Sequence, residues 1–216
     1  DLLRFESGVT ERKWFTGWEG WDHFNAAHRR GKGVLLVTPH LGNWEFGGAF
    51  LVEHGFKLLV LTQPEPDERL TALRQNSRAQ RGVETLVVAN HDAFAFVEII
   101  KRLQEGAIVA LLVDRPPAHT AVNVQLFGQD FPASIAAAEL ARASGCAILP
   151  SFIVRRPDGY QARILPEIVY DRAAIGQRDR RVQLVQEILR AFEPVIRENA
   201  TQWYHFVKVW PEVRND

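Results

Sequence analysis

Short apolar runs alternate with helical segments along the first half of the chain, and this alternation restricts the fold more than any other feature. The runs predict buried strands at 33–38, 57–62, 84–88 and 106–113. Helices are predicted between them, and Asp67 and Asp92 stand where they can cap two of these helices, at 68–81 and 93–104. Strands joined by helices pair in parallel, so we expect an α/β fold with a mostly parallel sheet flanked by helices.

The second half of the chain adds antiparallel pairing to this pattern. Further elements are predicted as strands at 120–127, 147–154 and 160–165 and as helices at 135–144 and 177–198. The turn residues at 155–159 separate two of these strands and predict a hairpin. In the helix at 93–104, apolar residues at helical spacing predict the buried face: Phe94, Val97, Ile100 and Leu103. The sheet is therefore expected to be mixed.

The chain of 216 residues suits one domain, with 46% hydrophobic and 24% charged residues and no repeat or linker. We assign 1–216 to this domain and expect a helical segment at 1–31, where Trp14 and Trp18 can either pack on the core or face a membrane. The formal net charge is zero, which argues against a general nucleic-acid binder. The single cysteine, Cys146, has no partner for an internal disulfide and is expected in the core.

The N-terminus bears on membrane attachment. The chain begins with Asp1 and contains no methionine, so we expect the native start, with an apolar segment, to lie upstream. No apolar run approaches the ~18 residues that a membrane-spanning helix needs.

One turn carries a candidate catalytic pair, His40 and Glu45, between the first strand and the first helix after it. Five residues on one regular helix point about 140° apart, so the two side chains can meet only if His40 lies on the turn and Glu45 in the first helical turn. Glu45 could then accept a proton from one ring nitrogen and leave the other free as a base. Alternatively, His40 is a structural turn residue and Glu45 favours the helix N-terminus.

Other catalytic signatures do not occur in the sequence. There is no Gly-x-Gly-x-x-Gly, P-loop, Gly-x-Ser-x-Gly or His-Glu-x-x-His pattern. One cysteine and scattered histidines give no convincing metal spacing. The His40 turn is therefore the best-motivated site, and we expect no metal or cofactor.

The heptapeptide Pro39–Glu45 resembles the His-x4-Glu motif of the lysophospholipid acyltransferase superfamily. Its Gly-Asn-Trp-Glu form is typical of the branch that includes the late acyltransferases of lipid A synthesis, which are lauroyl and myristoyl transferases, and the mannoside acyltransferases. Further segments resemble that branch in the same order: Val113–Pro117, Leu126–Gly128, Ala138–Gly145, Ile148–Pro150 and Thr201–Tyr204. The resemblance covers the chain from about His23 to Trp210.

The resemblance implies a fold of the glycerol-3-phosphate acyltransferase type and a fatty acyl transfer. The donor would be an acyl thioester of acyl carrier protein or coenzyme A, and the acceptor a hydroxyl of a membrane glycolipid similar to a lipid A precursor. His40 would act as general base, oriented by Glu45. The protein would work at the cytoplasmic face of the inner membrane, either peripherally or anchored by the missing N-terminal segment.

We expect substrate-binding residues around the turn: Asn43, Trp44, Arg78, Arg81, Asp114 and Arg115. The resemblance implies a functional arginine in the helix at 68–81, with Arg78 as the best positional match and Arg81 second. Asp114 and Arg115 follow the fourth strand at the edge that carries His40, where Asp114 could pair with Arg115 or Arg78 or accept a hydrogen bond from the neighbourhood of His40. Backbone N–H groups near Gly42 and Asn43, or an arginine, are candidates for stabilising the oxyanion. Arg74, Arg78 and Arg81 share one face of the helix predicted at 68–81, which suggests a phosphate on one of the substrates. The alternative is that the arginines form surface ion pairs.

Two other functions remain open from the sequence. A non-catalytic module could keep the fold to bind a lipid or a carrier protein. A thioesterase could use His40 to activate water.

Overall fold

The computed structural model describes residues 14–89, 92–206 and 210, and within them nine strands and six α-helices. The strands are β1 (Phe15–Glu19), β2 (Val34–Thr38), β3 (Leu58–Thr62), β4 (Glu84–Val87), β5 (Ile108–Leu112), β6 (Ala121–Leu126), β7 (Gln129–Ser134), β8 (Ala147–Arg156) and β9 (Gly159–Ile164). The helices are α1 (Trp21–His28), α2 (Trp44–Glu53), α3 (Glu68–Ala79), α4 (Ala93–Gln104), α5 (Ala136–Ser144) and α6 (Arg178–Glu198).

Seven strands form one sheet in the order β1-β9-β8-β2-β5-β3-β4. The pairs among β8, β2, β5, β3 and β4 are parallel, while β8 and β9 form the antiparallel hairpin predicted from the turn after β8. The predicted α/β class, with a mixed and mostly parallel sheet flanked by helices, is confirmed.

Two strands were not predicted. β1 lies in the segment expected to be helical and pairs with β9, so within 14–31 only α1 is an α-helix. The strand β7 pairs with β6 through a two-residue turn in which Phe127 and Gly128 both have positive φ, 55° and 75°. β7 carries little apolar alternation, because its sequence is Gln-Asp-Phe-Pro-Ala-Ser, so hydrophobic periodicity did not reveal it.

Alternate residues of the central strands enter different layers of the core. Leu35 and Val37 of β2 pack toward α4, α5 and α6, while Val34 and Leu36 pack toward α1 and α2. All four side chains are buried, as expected for a strand covered on both faces. Cys146 is also buried, and this burial raises the pKa of its thiol to about 11.

The buried face of α4 agrees with the predicted one only at its C-terminal end, where Leu103 is buried and Ile100 packs against the core. Its buried residues are Ala95, Ile99 and Leu103, whereas Phe94 is 89% and Val97 64% exposed. The helix is apolar over more than one stripe, so helical spacing alone could not choose the stripe that faces the sheet.

The tryptophans near the N-terminal end pack on aromatic neighbours. Trp18 lies with its ring centroid 5.0 Å from Trp21 and 5.6 Å from Phe15, and Trp14 lies 6.1 Å from Phe46. Of the two expectations for Trp14 and Trp18, the structure therefore supports packing on the core. In the part of the chain that the structure describes, no helix combines the length and apolarity needed to cross a membrane.

Candidate active site

The His40 turn connects β2 to α2, and its conformation depends on Gly42. Gly42 has φ 65°, and a Cβ there would lie 1.7 Å from the carbonyl oxygen of Ile153. The Oδ1 atom of Asn43 accepts a hydrogen bond from the Phe46 N–H and so caps α2. As predicted, His40 therefore lies on the turn and Glu45 in the first turn of the helix.

The ring of His40 is held by Asp114, which follows the neighbouring strand. β2 and β5 pair in register, with Thr38 opposite Leu112, so residues two positions beyond each strand also come together. His40 Nδ1 lies 2.7 Å from Asp114 Oδ1. The backbone N–H of His40 also donates to both carboxylate oxygens of Asp114, at 3.0 Å each.

The Asp114 carboxylate is fully buried and remains ionised because of its hydrogen bonds. Burial by itself would raise the pKa of Asp114, but the hydrogen bonds and charge of His40, with a hydrogen bond from Trp203, outweigh burial and lower the pKa. An ionised carboxylate only accepts hydrogen bonds, so Nδ1 must carry the ring proton. The neutral ring then presents Nε2 as an unprotonated base.

Glu45 does not occupy the predicted place beside the ring nitrogen. Its carboxylate accepts hydrogen bonds from Arg78 of α3, from Nη2 to Oε1 at 2.6 Å and from Nε to Oε2 at 2.9 Å. Both side chains are 9% exposed, so this is a buried, two-point ion pair. The partner of His40 Nδ1 is thus Asp114, because strand register aligns the two, while the helix directs Glu45 toward Arg78.

The other arginines separate from one another. Arg74 pairs with Glu65, and Arg81 Nη1 donates to the carbonyl and hydroxyl oxygens of Ser77 at 2.7 and 2.8 Å. Burial lowers the pKa of Arg81, and the nearby Glu45 charge partly offsets this effect. The three arginines predicted to share one face therefore have different partners, and the binding of phosphate by any of them stays a prediction.

The C-terminal segment completes the site. The indole Nε1–H of Trp203 donates to Asp114 Oδ2 at 2.8 Å, and the Tyr204 N–H donates to the His40 carbonyl at 2.7 Å. The Trp44 ring lies edge-on between two rings, 5.2 Å from His40 and 5.6 Å from Tyr204. Trp203 and Tyr204 were not predicted as site residues, although the Gln-Trp motif of the resemblance marked this segment.

The backbone N–H groups considered for an oxyanion site are already engaged. The Gly42 N–H donates to the Gln202 carbonyl at 2.9 Å, and the Asn43 N–H donates to the Ile153 carbonyl at 3.3 Å. The side-chain amide of Gln202 also accepts a hydrogen bond from the Arg155 N–H and donates one to the Arg155 carbonyl. These N–H groups hold the turn in place, and the expectation that they stabilise an oxyanion is not supported.

A cavity lies beneath α2, between the helix and the sheet, and its empty space is about 940 Å³ when the open solvent at its mouth is counted. It reaches the last residues of three strands, Thr38, Thr62 and Leu112, at the edge that carries His40. Its walls are mostly apolar and include Gly47, Gly48, Leu51, Leu58, Val83 and Ile153. Trp44 and the charged residues Glu45, Arg78 and Arg81 also line it. Arg115 lies outside this lining and is exposed on the turn after β5.

The chemistry available at this edge is that of a histidine base beside an apolar cavity. Among the residues that the structure describes, no group of three or more His, Cys, Asp or Glu side chains is arranged to hold a metal ion. A base with an unprotonated Nε2 can take a proton from a hydroxyl group or a water molecule.

Comparisons with known proteins agree with the predicted resemblance. The model of the bacterial lipid A biosynthesis acyltransferase family matches residues 5–212. A phosphatidylinositol mannoside acyltransferase of Mycobacterium tuberculosis (strain CDC 1551 / Oshkosh) is 31% identical over 150 residues, which cover 69% of this chain and 47% of that protein. The enzyme of the same name from Mycolicibacterium smegmatis is 27% identical over 147 residues, or 68% and 48% of the two chains. The chain thus spans about half the length of these curated relatives.

Proposed function

Since the chain belongs to the bacterial lipid A biosynthesis acyltransferase family, we propose that it transfers a fatty acyl group from an acyl thioester to a hydroxyl group of a membrane glycolipid. The observation that carries this proposal is a candidate histidine base, held by a buried carboxylate and in contact with Trp44, at the sheet edge that an apolar cavity lined by Trp44 also reaches. A base is what an acceptor hydroxyl needs, and an apolar cavity is what an acyl chain needs.

In the proposed reaction, His40 Nε2 takes the proton from the acceptor hydroxyl while the hydroxyl oxygen attacks the thioester carbonyl carbon. Asp114 stabilises the imidazolium that forms, through the hydrogen bond to Nδ1. The tetrahedral intermediate then collapses, the carbon–sulfur bond breaks, and the imidazolium returns the proton to the leaving sulfur. The acceptor attacks directly, so the reaction needs no acyl-enzyme intermediate.

The Glu45–Arg78 pair has a different part in this proposal. It lines the cavity close to Trp44, and its two charges balance each other there. We assign it to shaping the acyl site rather than to orienting His40. Among the predicted substrate-binding residues, Trp44 contacts the base directly, and Asn43 is buried and acts through its cap.

The acceptor is proposed as a class. The family name points to a lipid A precursor and the relatives' name to a phosphatidylinositol mannoside, both of which are membrane lipids that carry sugar hydroxyl groups. The donor is an acyl carrier protein thioester or acyl-coenzyme A, each with a phosphopantetheine arm. Arg81, on the cavity, and Arg115, exposed on the turn after β5, are the candidate phosphate ligands.

A direct assay separates the proposed function from the two alternatives. The protein is incubated with palmitoyl-coenzyme A, with and without phosphatidylinositol mannoside or a lipid A precursor, and the lipids are analysed by mass spectrometry. We expect an acylated glycolipid and only slow thioester hydrolysis when no acceptor is present. Equal hydrolysis with and without acceptor would indicate a thioesterase, and binding without turnover would indicate a non-catalytic module.

We also propose that the active-site edge rests on the cytoplasmic face of the inner membrane. The exposed Phe94 and Val97 lie in the first turns of α4, and α4 begins where β4 ends, at the same edge as His40. Phe206, 84% exposed, follows Tyr204 at the site. Exposed apolar side chains around a lipid substrate's entrance are suited to contact with a bilayer.

This placement predicts which apolar residues vesicle binding requires. Phe94→Ser is expected to weaken binding to phospholipid vesicles about tenfold. Val97→Ser should weaken it by less, because the valine side chain transfers less apolar surface from water into the bilayer than phenylalanine does. Val169→Ser is the matched control, since Val169 is 83% exposed but lies with Gly145 and Ala147 at the opposite edge. Co-sedimentation measures the binding; equal losses for Val97→Ser and Val169→Ser would contradict the proposed orientation.

A further inference from the structure

Two consecutive glycines lie inside α2, where the backbone does not require them. Gly47 and Gly48 both have helical backbone conformations, unlike Gly42 in the preceding turn, whose φ is positive. Glycine in the middle of a helix lowers its stability relative to alanine because it loses more backbone freedom on folding. The reason for these glycines must therefore lie in the space around them.

That space is the cavity beneath the helix. A Cβ added to Gly47 would lie 3.7 Å from Cγ2 of Ile153, and one added to Gly48 would lie 3.2 Å from Cδ2 of Leu58. Both glycines line the cavity. A side chain at either position would therefore fill space between α2 and the sheet, and one larger than a methyl group would divide it.

The glycines lie part of the way along the cavity. The helix begins at Trp44, beside His40, and rises 1.5 Å per residue, so Gly48 is about 6 Å and Leu51 about 10 Å along its axis from Trp44. The apolar walls continue beyond the glycines to Leu51 and Val83, while Leu58 lies opposite Gly48. A long alkyl chain entering at the His40 edge must pass the glycines to reach those walls.

We propose that Gly47 and Gly48 keep this passage open and thereby set the length of the acyl chain that the protein accepts. The inference rests on the proposed function. It assigns the cavity to the acyl chain of the donor, because that chain is bonded to the carbonyl carbon beside His40. Close packing of α2 on the sheet does not account for both glycines, since the contact of a Cβ at Gly47 with Ile153, at 3.7 Å, would be an ordinary van der Waals distance.

A graded series of substitutions tests this inference. Gly47→Ala and Gly48→Ala each add one methyl group, and Gly48→Leu adds a larger side chain. Gly176→Ala is the control, since a Cβ at Gly176 meets no atom within 4 Å and Gly176 does not line the cavity. Binding of acyl-coenzyme A with chains of increasing length is measured by calorimetry in a His40→Ala background, so that turnover does not interfere. Circular dichroism and the melting temperature verify folding.

We expect Gly48→Leu to lose affinity for long chains while it keeps affinity for short ones. Each methylene group excluded from an apolar site lowers the affinity about fourfold, so exclusion of two lowers it roughly 15-fold. Gly47→Ala should raise the melting temperature, since its Cβ meets only ordinary contacts and alanine favours the helix, yet it should still weaken long-chain binding. Gly176→Ala should bind every chain as the parent does.

Two outcomes are informative in different ways. If folded Gly48→Leu binds the whole chain series with the parent's affinities, the glycines do not set chain length and the inference is wrong, whatever the transfer assay shows. If the chain-length preference shifts as expected but no acceptor is acylated by the parent protein, the inference holds for binding and the proposed transfer reaction fails.

Discussion

Replacing His40 by alanine is expected to lower the rate of acyl transfer by roughly 10²–10⁴-fold, the range associated with loss of a general base. The acceptor hydroxyl would then have to attack the thioester without a group to take its proton. The loss should appear mainly in kcat, because the cavity and the Glu45–Arg78 pair are left in place. Initial rates with acyl-coenzyme A and a glycolipid acceptor give this measurement.

The fold should survive this substitution, because the His40 side chain keeps 15% of its surface exposed and lies on a turn rather than in the core. The matched control is His54→Ala, which removes an exposed imidazole ring at the far end of α2. Near-normal transfer by the folded His40 variant, or equal losses in the two variants, would show that His40 is not the base.

The strands and most helices could be predicted because their signals are local. A short apolar run such as Val34–Val37, bounded by turn residues, carries its strand signal within a few residues, and Asp67 and Asp92 cap their helices through residues two or three positions away. β1 was missed because it forms by pairing with a strand far along the chain. The turn of Phe127 was missed because it requires a strained backbone conformation. In α4 the pattern showed a helix but not which apolar stripe faced the sheet.

The pairing of charges in the site could be predicted only in part. Asp114 was expected at the edge that carries His40, but the sequence did not decide whether its partner would be an arginine or the neighbourhood of His40. Glu45 is five residues from His40, so sequence spacing favours it as the partner of the ring. Asp114 is 74 residues away and becomes a partner only through the register of β2 with β5. The structure gives Glu45 a different partner, Arg78 on α3, which spacing could not identify. Local spacing indicated His40 as the candidate base, whereas the carboxylate that holds its ring follows from sheet topology.

The two carboxylates at the site thus receive separate environments. Glu45 is paired with a guanidinium group at the cavity wall, while the ionised form of Asp114 is stabilised by the hydrogen bonds and charge of His40 and by a hydrogen bond from Trp203. A buried carboxylate in contact with the ring favours protonation of the imidazole in the transition state. This difference is why Asp114 rather than Glu45 is assigned the supporting role in proton transfer.

Asp114→Asn is therefore expected to lower kcat by roughly 10²–10⁴-fold without a comparable change in KM. The asparagine amide can donate a hydrogen bond to Nδ1, which would place the ring proton on Nε2 and remove the base. Nitrogen-15 NMR of the imidazole reports that change of tautomer directly, and a purely structural role would not produce it. Asp158→Asn, on the exposed turn between β8 and β9, is the control.

The acid stability of the same variant gives an independent measurement. The folded-state pKa of Asp114 lies below its unfolded value of about 3.9, so its charge stabilises the fold fully above that pH and loses this effect as the pH falls through the folded-state pKa. Urea unfolding between about pH 5 and pH 3 should thus show a smaller loss of free energy of unfolding in Asp114→Asn than in the parent. If Asp114→Asn had the parent's kcat and its free energy of unfolding fell with pH as steeply as the parent's, Asp114 would support neither proton transfer nor acid stability. The orientation of His40 would then have to come from the backbone of its turn.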